Sequence, residues 1–329
     1  VKPCEDFFQF ATGGWQAKHP IPAAFPRWGS FDVLAEQNQE ELRGILEACA
    51  KDTKAPKGSL VQRLGDFYAT AMNEALADKL GTEPLKPEME RIAAVKDLDG
   101  LSREVARLQR MGVNVFFGFG SEVDAKDATK MIAGAGQGGL GLPDRDYYLK
   151  DDEKTKKIRE AYLAHVQKVL ELLGDAPETA AAEAQTVMKL EKGLADVSST
   201  RVDLRDPNAN YNPMTISAFV TLAPSFPWKP YLDDIGEAGL QSLNVGQPKF
   251  FQGLSAQIRA EDLAAWKTYL RWHLVRAYSP YLSSAFVKEN FEYSRVFTGT
   301  QEDQPRWRKA VAATNGALGE DLGQLYVKQ

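Results

Sequence analysis

Apolar residues recur at helical spacing along most of this 329-residue chain, and this repeat restricts the possible folds more than any other feature. Ser30 is the predicted N-cap of a helix whose apolar stripe runs from Phe31 to Leu46, and Ser59 opens a capping-box sequence before a second helix. Further helices are predicted at residues 101–111, 155–173, 177–197, 261–286 and 305–327, with short pieces near 215–222 and 229–243. Such stripes are the buried faces of packed helices, so a mainly α fold is predicted.

The apolar period changes between residues 113 and 138. Apolar residues alternate with smaller ones from Val113 to Phe119, and a polar turn at 124–127 precedes a second apolar run. This pattern predicts one small β-hairpin. Residues 134–139 also fit the nucleotide-binding pattern G-x-G-x-x-G, but Pro143 follows where that fingerprint needs a helix. We therefore interpret the glycine run as a flexible loop.

The N-terminal segment combines large aromatic residues with helix-breaking residues. Gly13, Gly14, Pro20 and Pro22 interrupt regular structure, so irregular backbone is predicted there. Aromatic side chains on an irregular segment must pack against a larger body. We expect residues 1–30 to form a strap on a lobe outside this chain, and residues 31–329 to form the helical domain.

Composition excludes several classes of function. The hydrophobic fraction is 43%, and 40 basic and 45 acidic residues are well mixed at a net charge of −5. A nucleic-acid or anionic-membrane surface would need a clustered basic face, so neither partner is predicted. No apolar run is long enough to cross a bilayer. The first residues lack the features of a signal peptide, and we expect a mature or trimmed protein.

Several sequence blocks, in a fixed order, resemble the neprilysin-like zinc endopeptidases, which include bacterial periplasmic and secreted oligopeptidases. They are PCEDFF from Pro3, RWGSFD from Arg27, GLGLPDRDYY from Gly139, YNPMT from Tyr211, YLRWHL from Tyr269, PRWR from Pro305 and LGEDLGQLYV from Leu318. The resemblance extends to the end of the chain. It implies that this region is a lid domain, a helical lobe that closes over a zinc-containing catalytic lobe located C-terminal to it. It also implies a periplasmic or secreted protein that acts on peptides.

The zinc chemistry of that family is not encoded in these residues. A catalytic zinc needs three protein ligands and one open position, commonly supplied by His-Glu-x-x-His on a helix. The chain has three histidines, His19, His165 and His273, and no two of them are four residues apart. We interpret them as a surface residue, a residue at the core edge and a hydrogen-bonded interior residue. No catalytic residue and no metal ligand is predicted in this chain, and zinc would be bound by the catalytic lobe.

The resemblance also assigns candidate site residues. Arg27 matches an arginine that binds the C-terminal carboxylate of the substrate, Phe31 matches an aromatic lining the pocket after the scissile bond, and Asp32 is placed to orient Arg27. The alternative is that Arg27 only pairs with a surface acid. Cys4 matches a cysteine whose disulfide partner lies near the C-terminus of the full protein. Cys49, at the end of an apolar stripe, is interpreted as a small buried hydrophobe.

Two functional hypotheses follow from these observations. In the first, the chain is the lid and substrate-selecting part of a zinc endopeptidase that hydrolyses short peptides, and it is inactive by itself. In the second, it is a stand-alone, non-catalytic domain that binds peptides or proteins.

Overall fold

The computed structural model describes residues 1–328 and confirms the mainly α fold class. The helices are α1 (Phe7–Lys18), α2 (Ser30–Lys51), α3 (Leu60–Met72), α4 (Glu74–Leu80), α5 (Lys86–Ala94), α6 (Leu98–Arg110), α7 (Asp146–Leu149), α8 (Glu153–Leu172), α9 (Pro177–Val197), α10 (Ile216–Leu222), α11 (Trp228–Ile235), α12 (Pro248–Ala260), α13 (Leu263–Tyr278), α14 (Ser284–Thr298) and α15 (Arg306–Tyr326). The strands are β1 (Phe117–Asp124), β2 (Asp127–Gln137), β3 (Pro213–Thr215) and β4 (Ser242–Val245). Three short 3₁₀ helices are formed by Glu83–Leu85, Asp203–Arg205 and Ser279–Tyr281.

The chain divides into two compact units. The first contains Val1–Lys79 together with residues 291–328, and the second is Leu80–Asn290. The predicted division into residues 1–30 and 31–329 concerns packing on a lobe outside this chain, and it stays a prediction.

The core of the first unit forms where α2, α3 and α15 pack together. Its buried members are Leu42, Ile45, Leu46, Cys49, Leu64, Tyr68, Ala310, Val311 and Leu322. The predicted stripe of α2 is therefore correct from Leu42 onward, but it is wrong at Phe31 and Leu34, whose side chains are exposed. Ser59 caps α3 as predicted, since its hydroxyl accepts a hydrogen bond from the Gln62 N–H.

The N-terminal segment is more regular than predicted. Gly13 and Gly14 lie inside α1, so the prediction that they break regular structure is wrong. The helix begins with a side-chain cap, because the Asp6 carboxylate accepts a hydrogen bond from the Gln9 N–H. A glycine inside a helix costs about 1 kcal/mol relative to alanine, which lowers helix stability without forbidding the helix. Within residues 1–30, the backbone outside helices is limited to residues 1–6 and 19–29, and these two stretches include short turns.

A four-stranded mixed sheet, in the order β1-β2-β4-β3, belongs to the second unit. The predicted hairpin is confirmed as the antiparallel pair β1–β2, although β1 begins only at Phe117. β2 pairs in parallel with β4, which in turn pairs antiparallel with β3. Residues 134–137 belong to β2, so the interpretation of this glycine run as a flexible loop is wrong there. Glycine is tolerated in β2 because the ladder with β1 satisfies its backbone groups.

Aromatic side chains fill the interior of the second unit. One cluster packs against the start of β1 and includes Phe117, Phe219, Phe226, Trp228, Tyr231 and Phe251, all nearly fully buried. α13 adds Trp266, Tyr269 and Trp272, each with no exposed surface. Two helices differ from the sequence prediction, because α12 was not predicted and α13 ends at Tyr278 rather than near residue 286. Within residues 1–328 no helix combines the length and apolarity that a membrane span requires.

Candidate functional site

Arg27, Phe31 and Asp32 lie where the irregular segment enters α2. Gly29 is the N-cap of α2, so Phe31 and Asp32 occupy its first turn. The Asp32 carboxylate is favoured there by the positive end of the helix dipole. The Arg27 Nε atom lies 3.6 Å from Asp32 Oδ1, and the Arg27 side chain is 85% exposed. An exposed pair of this length contributes little free energy. The structure thus brings Arg27 and Asp32 together while leaving most of the guanidinium accessible.

The backbone ahead of Arg27 is anchored to the first unit. The Gln304 side chain donates a hydrogen bond of 2.6 Å to the Ala24 carbonyl. The Phe25 ring packs edge-on against Trp28 at 4.7 Å between centroids, and the Arg308 guanidinium lies over Phe25 at 5.0 Å. These contacts fix the base from which Arg27 projects, which is what a residue that positions a ligand requires.

The N-terminal segment exposes an unusual number of large apolar side chains. Large side chains of residues 1–34 with more than half of their surface exposed are Val1, Phe7, Phe8, Phe10, Ile21, Phe31 and Leu34, and the value for Phe31 is 86%. No residue of α1 is buried. Soluble proteins rarely leave so many large apolar side chains exposed on one short segment unless the segment binds something.

The two cysteines have different environments. Cys4 is exposed and forms no disulfide within residues 1–328. Cys49 is buried in the core of the first unit, which confirms its interpretation as a small hydrophobe, and burial raises the pKa of its thiol.

The three histidines differ in burial and in their contacts. His19 is exposed and stacks on Trp15 at 4.3 Å, as expected for a surface residue. His165 is buried with its Nδ1 atom 2.8 Å from Glu289. His273 is buried and hydrogen-bonded, which confirms the interpretation of an interior residue. Residues 1–328 contain no group of three or more His, Cys, Asp or Glu side chains that could hold a metal ion.

A buried polar network in the second unit was not predicted. Its centre is Glu191 of α9, which has no exposed surface. The Tyr162 hydroxyl and the His273 Nε2 atom lie 2.9 Å from Glu191 Oε1, and the Tyr148 hydroxyl donates to Oε2 at 2.7 Å. The Trp272 indole N–H donates to the Tyr162 hydroxyl at 2.9 Å. A signal was present in the sequence, since Glu191 falls within the apolar stripe of α9.

Gly141 is required by the same network. A Cβ atom at this position would lie 1.8 Å from the Tyr162 hydroxyl and 2.8 Å from Glu191 Oε1. No side chain fits at that distance. Gly141 and Tyr148 both belong to the GLGLPDRDYY block, and here they serve the packing of the second unit.

Protonation of His273 opposes folding. Complete burial lowers the pKa of His273, and this effect outweighs the opposing hydrogen bond to Glu191. Arg276 lowers the same pKa further, whereas the Asn114 main chain raises it. The unfolded chain therefore binds a proton more readily than the folded chain below the unfolded pKa of about 6.5.

We expect the free energy of unfolding of the second unit to decrease as the pH falls from 7.5 to 5.5. His273 contributes full stability above the unfolded pKa, and this contribution is lost as the pH falls toward the lower pKa of the folded state. Urea unfolding at several pH values measures the slope. His273→Gln should flatten the slope across this interval, whereas His19→Gln, at the exposed histidine, should leave it unchanged. An equal slope in wild type and His273→Gln would contradict the assignment.

Comparison with known proteins covers the whole chain. The model of peptidase family M13 matches residues 3–329. Endothelin-converting enzyme 1 of Cavia porcellus is 31% identical over 346 residues, which cover 100% of this chain and 44% of that protein. The crystal structure of the Mycobacterium tuberculosis zinc metalloprotease Zmp1 in complex with an inhibitor is 31% identical, with a TM-score of 0.95, and the match covers 100% of this chain and 50% of that chain. The cryo-EM structure of Zmp1 in an open state gives a TM-score of 0.86, also at 31% identity, over 100% of this chain and 51% of that chain.

The chain thus spans about half the length of the relatives it matches. The family match runs through nearly every residue, and the fold is shared along the whole chain. The chain belongs to peptidase family M13, and it corresponds to the N-terminal domain of these metallopeptidases.

Proposed function

We propose that this chain is the lid and substrate-selecting part of a zinc-dependent endopeptidase that hydrolyses short peptides. The observation that carries the proposal is the full-length match to one half of a zinc metalloprotease. The zinc would be bound by a catalytic lobe C-terminal to this chain. A catalytic zinc needs three protein ligands around one ion, and residues 1–328 bring no such group of side chains together. Closure of a lid over the zinc would exclude water and order the bound peptide.

The exposed aromatic segment supports a strap that packs on the catalytic lobe. Phe7, Phe8 and Phe10 each expose more than half of their surface, even though the Phe7 and Phe10 rings lie 6.4 Å apart between centroids. Docking them on a second lobe would remove this surface from water, at roughly 25 cal/mol for each Å² buried. Exposed Cys4 would join the same lobe through a disulfide, which would require an oxidising compartment. We therefore propose a periplasmic or secreted enzyme.

Arg27 would bind the free C-terminal carboxylate of the peptide. A guanidinium offers two parallel N–H donors that match a carboxylate, and it stays charged at every working pH. The weak contact with the Asp32 carboxylate would orient the Arg27 guanidinium and leave most of its N–H donors accessible to the peptide. Phe31, exposed one residue before Asp32, would line the pocket for the side chain that follows the cleaved bond.

In the full-length enzyme, we expect Arg27→Ala to lower kcat/KM for peptides with a free C-terminal carboxylate by roughly 10- to 150-fold, or about 1.5–3 kcal/mol for a lost charged hydrogen bond. The same peptides with an amidated C-terminus should change by less than about twofold. Hydrolysis rates of the two peptide series measure this difference.

A matched control is Lys51→Ala, which removes an exposed charge at the far end of α2. It should leave both peptide series unchanged, and Arg27→Lys should recover part of the lost selectivity. Equal losses on free and amidated peptides in Arg27→Ala would remove Arg27 from the substrate site.

A further inference from the structure

One face of the β1–β2 hairpin is almost free of side chains. Opposite residues of an antiparallel pair point to the same face, and here Gly118 pairs with Gly136 and Gly120 pairs with Gly134. The next residue of β1 on this face is Glu122. In β4, which lies beside β2, Asn244 pairs with Gly134. The face is therefore a glycine floor bordered by the Glu122 carboxylate, by Ile132 opposite it and by side-chain amides that include Asn244.

A pocket of about 360 Å³ lies on this floor. Its lining includes the four glycines, Gly246 and Leu204, and the polar residues Glu122, Asn210, Asn244 and Gln247, and it is completed by Phe119, Ser121 and Ala135. Its volume is within the range of small-molecule sites, about 300–1,000 Å³. The pocket lies wholly within the second unit.

The Glu122 carboxylate is held in a defined position. Its Oε1 atom accepts a hydrogen bond of 2.9 Å from Asn244 Nδ2, and the Asn244 side chain is itself buried. A Cβ atom on Gly134 would lie 2.6 Å from the carboxyl carbon of Glu122. The carboxylate thus lies across Gly134 in space that only a glycine leaves free.

The amide groups of the border are also fixed. Gln247 accepts a hydrogen bond of 2.8 Å from the Gln137 N–H and donates one of 2.7 Å to Asn210 Oδ1. Asn244 donates a second hydrogen bond, of 3.1 Å, to the Asn210 carbonyl. Polar groups held in this way before a ligand arrives lose little conformational entropy on binding.

The negative charge of the Glu122 carboxylate favours a positively charged ligand. Within the described part of the chain the Glu122 carboxylate is paired with the neutral Asn244 amide rather than with a cation, and no lysine, arginine or histidine lines the pocket. The second oxygen of Glu122 accepts no hydrogen bond from residues 1–328. A cation with several N–H donors would pair with this oxygen and could also donate to carbonyl oxygens of the border.

We propose that this pocket binds the basic side chain, arginine or lysine, of a peptide. The peptide part of the assignment rests on the proposed function. Glu122 supplies the countercharge, Asn244 positions it, and the glycine floor gives the side chain room to lie along the sheet. The pocket would add a preference for basic residues to the selection made at the peptide C-terminus.

The test is a titration of the full 329-residue chain, followed by ¹⁵N NMR of its glycine amides. The probes are the blocked peptide acetyl-Ala-Ala-Arg-Ala-Ala-amide and its citrulline analogue, which keeps the shape and removes the charge. We expect saturable shifts of the Gly118, Gly120, Gly134 and Gly136 amides, with at least about fivefold weaker binding of the citrulline peptide. Because both probes lack a free carboxylate, failure here would leave the Arg27 proposal intact.

Two variants locate the interaction. Glu122→Gln keeps the size of the side chain and should weaken binding of the arginine peptide about fivefold without affecting the citrulline peptide. Gly134→Ala should also weaken binding, because its Cβ would displace the Glu122 carboxylate. The control Gly44→Ala, in open space on α2, should bind like wild type.

Three outcomes would overturn the proposal. They are the absence of saturable shifts at the floor glycines, equal affinity for the two peptides, and unchanged affinity of Glu122→Gln for the arginine peptide. Methylguanidinium tests whether the pocket binds a small free cation as well as it binds the basic side chain of a peptide. Binding of methylguanidinium as tight as that of the arginine peptide would indicate a site for small free cations and would overturn the peptide assignment.

Discussion

We expect Glu191→Leu to lower the free energy of unfolding of the second unit by about 3–5 kcal/mol, as for other buried polar pairs that lose one partner. Leucine fills similar space but accepts no hydrogen bond. The Tyr148 and Tyr162 hydroxyls and the His273 ring, all buried, would each lose their acceptor. An unsatisfied buried donor costs about 1–3 kcal/mol, so three of them account for the expected loss.

Urea unfolding followed by circular dichroism measures this loss, and hydrogen exchange of the α9 and α13 amides localises it. Glu191→Gln keeps one acceptor oxygen and should be less destabilising than Glu191→Leu. Glu160→Gln, at an exposed position of α8, is the matched control and should change stability by less than about 0.5 kcal/mol. A loss below about 1 kcal/mol in Glu191→Leu would show that the network does not stabilise the unit.

We expect residues 1–329, purified alone and supplied with zinc, to hydrolyse no peptide in a zinc-dependent manner. Hydrolysis by zinc-bound water needs three protein ligands around one ion with a fourth position open. The histidines are at positions 19, 165 and 273, and His165 and His273 are engaged with Glu289 and Glu191 instead. The measurement is cleavage of fluorogenic peptides with and without a chelator.

The positive control is the full-length protein, whose proposed peptidase activity a chelator should abolish. Chelator-sensitive turnover by residues 1–329 would place the zinc site in this chain and contradict the proposal. If the full-length protein binds peptides but does not cleave them, the result favours the alternative hypothesis of a non-catalytic binding domain.

Much of the helical fold could be predicted from the sequence. α9 was predicted with the correct ends, because Pro177 suits the first turn of a helix and an uninterrupted run of helix-forming residues follows. The helix before it was predicted to end at residue 173 and ends at Leu172, just ahead of Gly174, whose φ of +106° is not helical. Such ends are set by nearby residues, and local sequence is sufficient to find them.

Other features depended on residues far apart in the chain. Gly13 and Gly14 were read as helix breakers, yet α1 continues through them, because single-residue propensities of about 1 kcal/mol are easily outweighed. β3 and β4 were not predicted, since a three-residue and a four-residue strand carry too little pattern without their partners. At the candidate site, Arg27 Nε lies 3.6 Å from Asp32 Oδ1, as their short separation in the sequence suggested, and the role of these residues in substrate binding stays a prediction.

The sequence alone determined the helical class, the hairpin and the membership of family M13, because these depend on local periodicity and on blocks of residues in a fixed order. Only the tertiary structure revealed the Glu191 network and the pocket at Glu122. Glu191 meets Tyr148 and His273, which are 43 and 82 residues away, and Glu122 meets Asn244, 122 residues away. Periodicity along a helix or strand shows which face is buried, but it does not specify which distant side chain will meet that face. That choice is made by packing, where each buried polar group must find a partner.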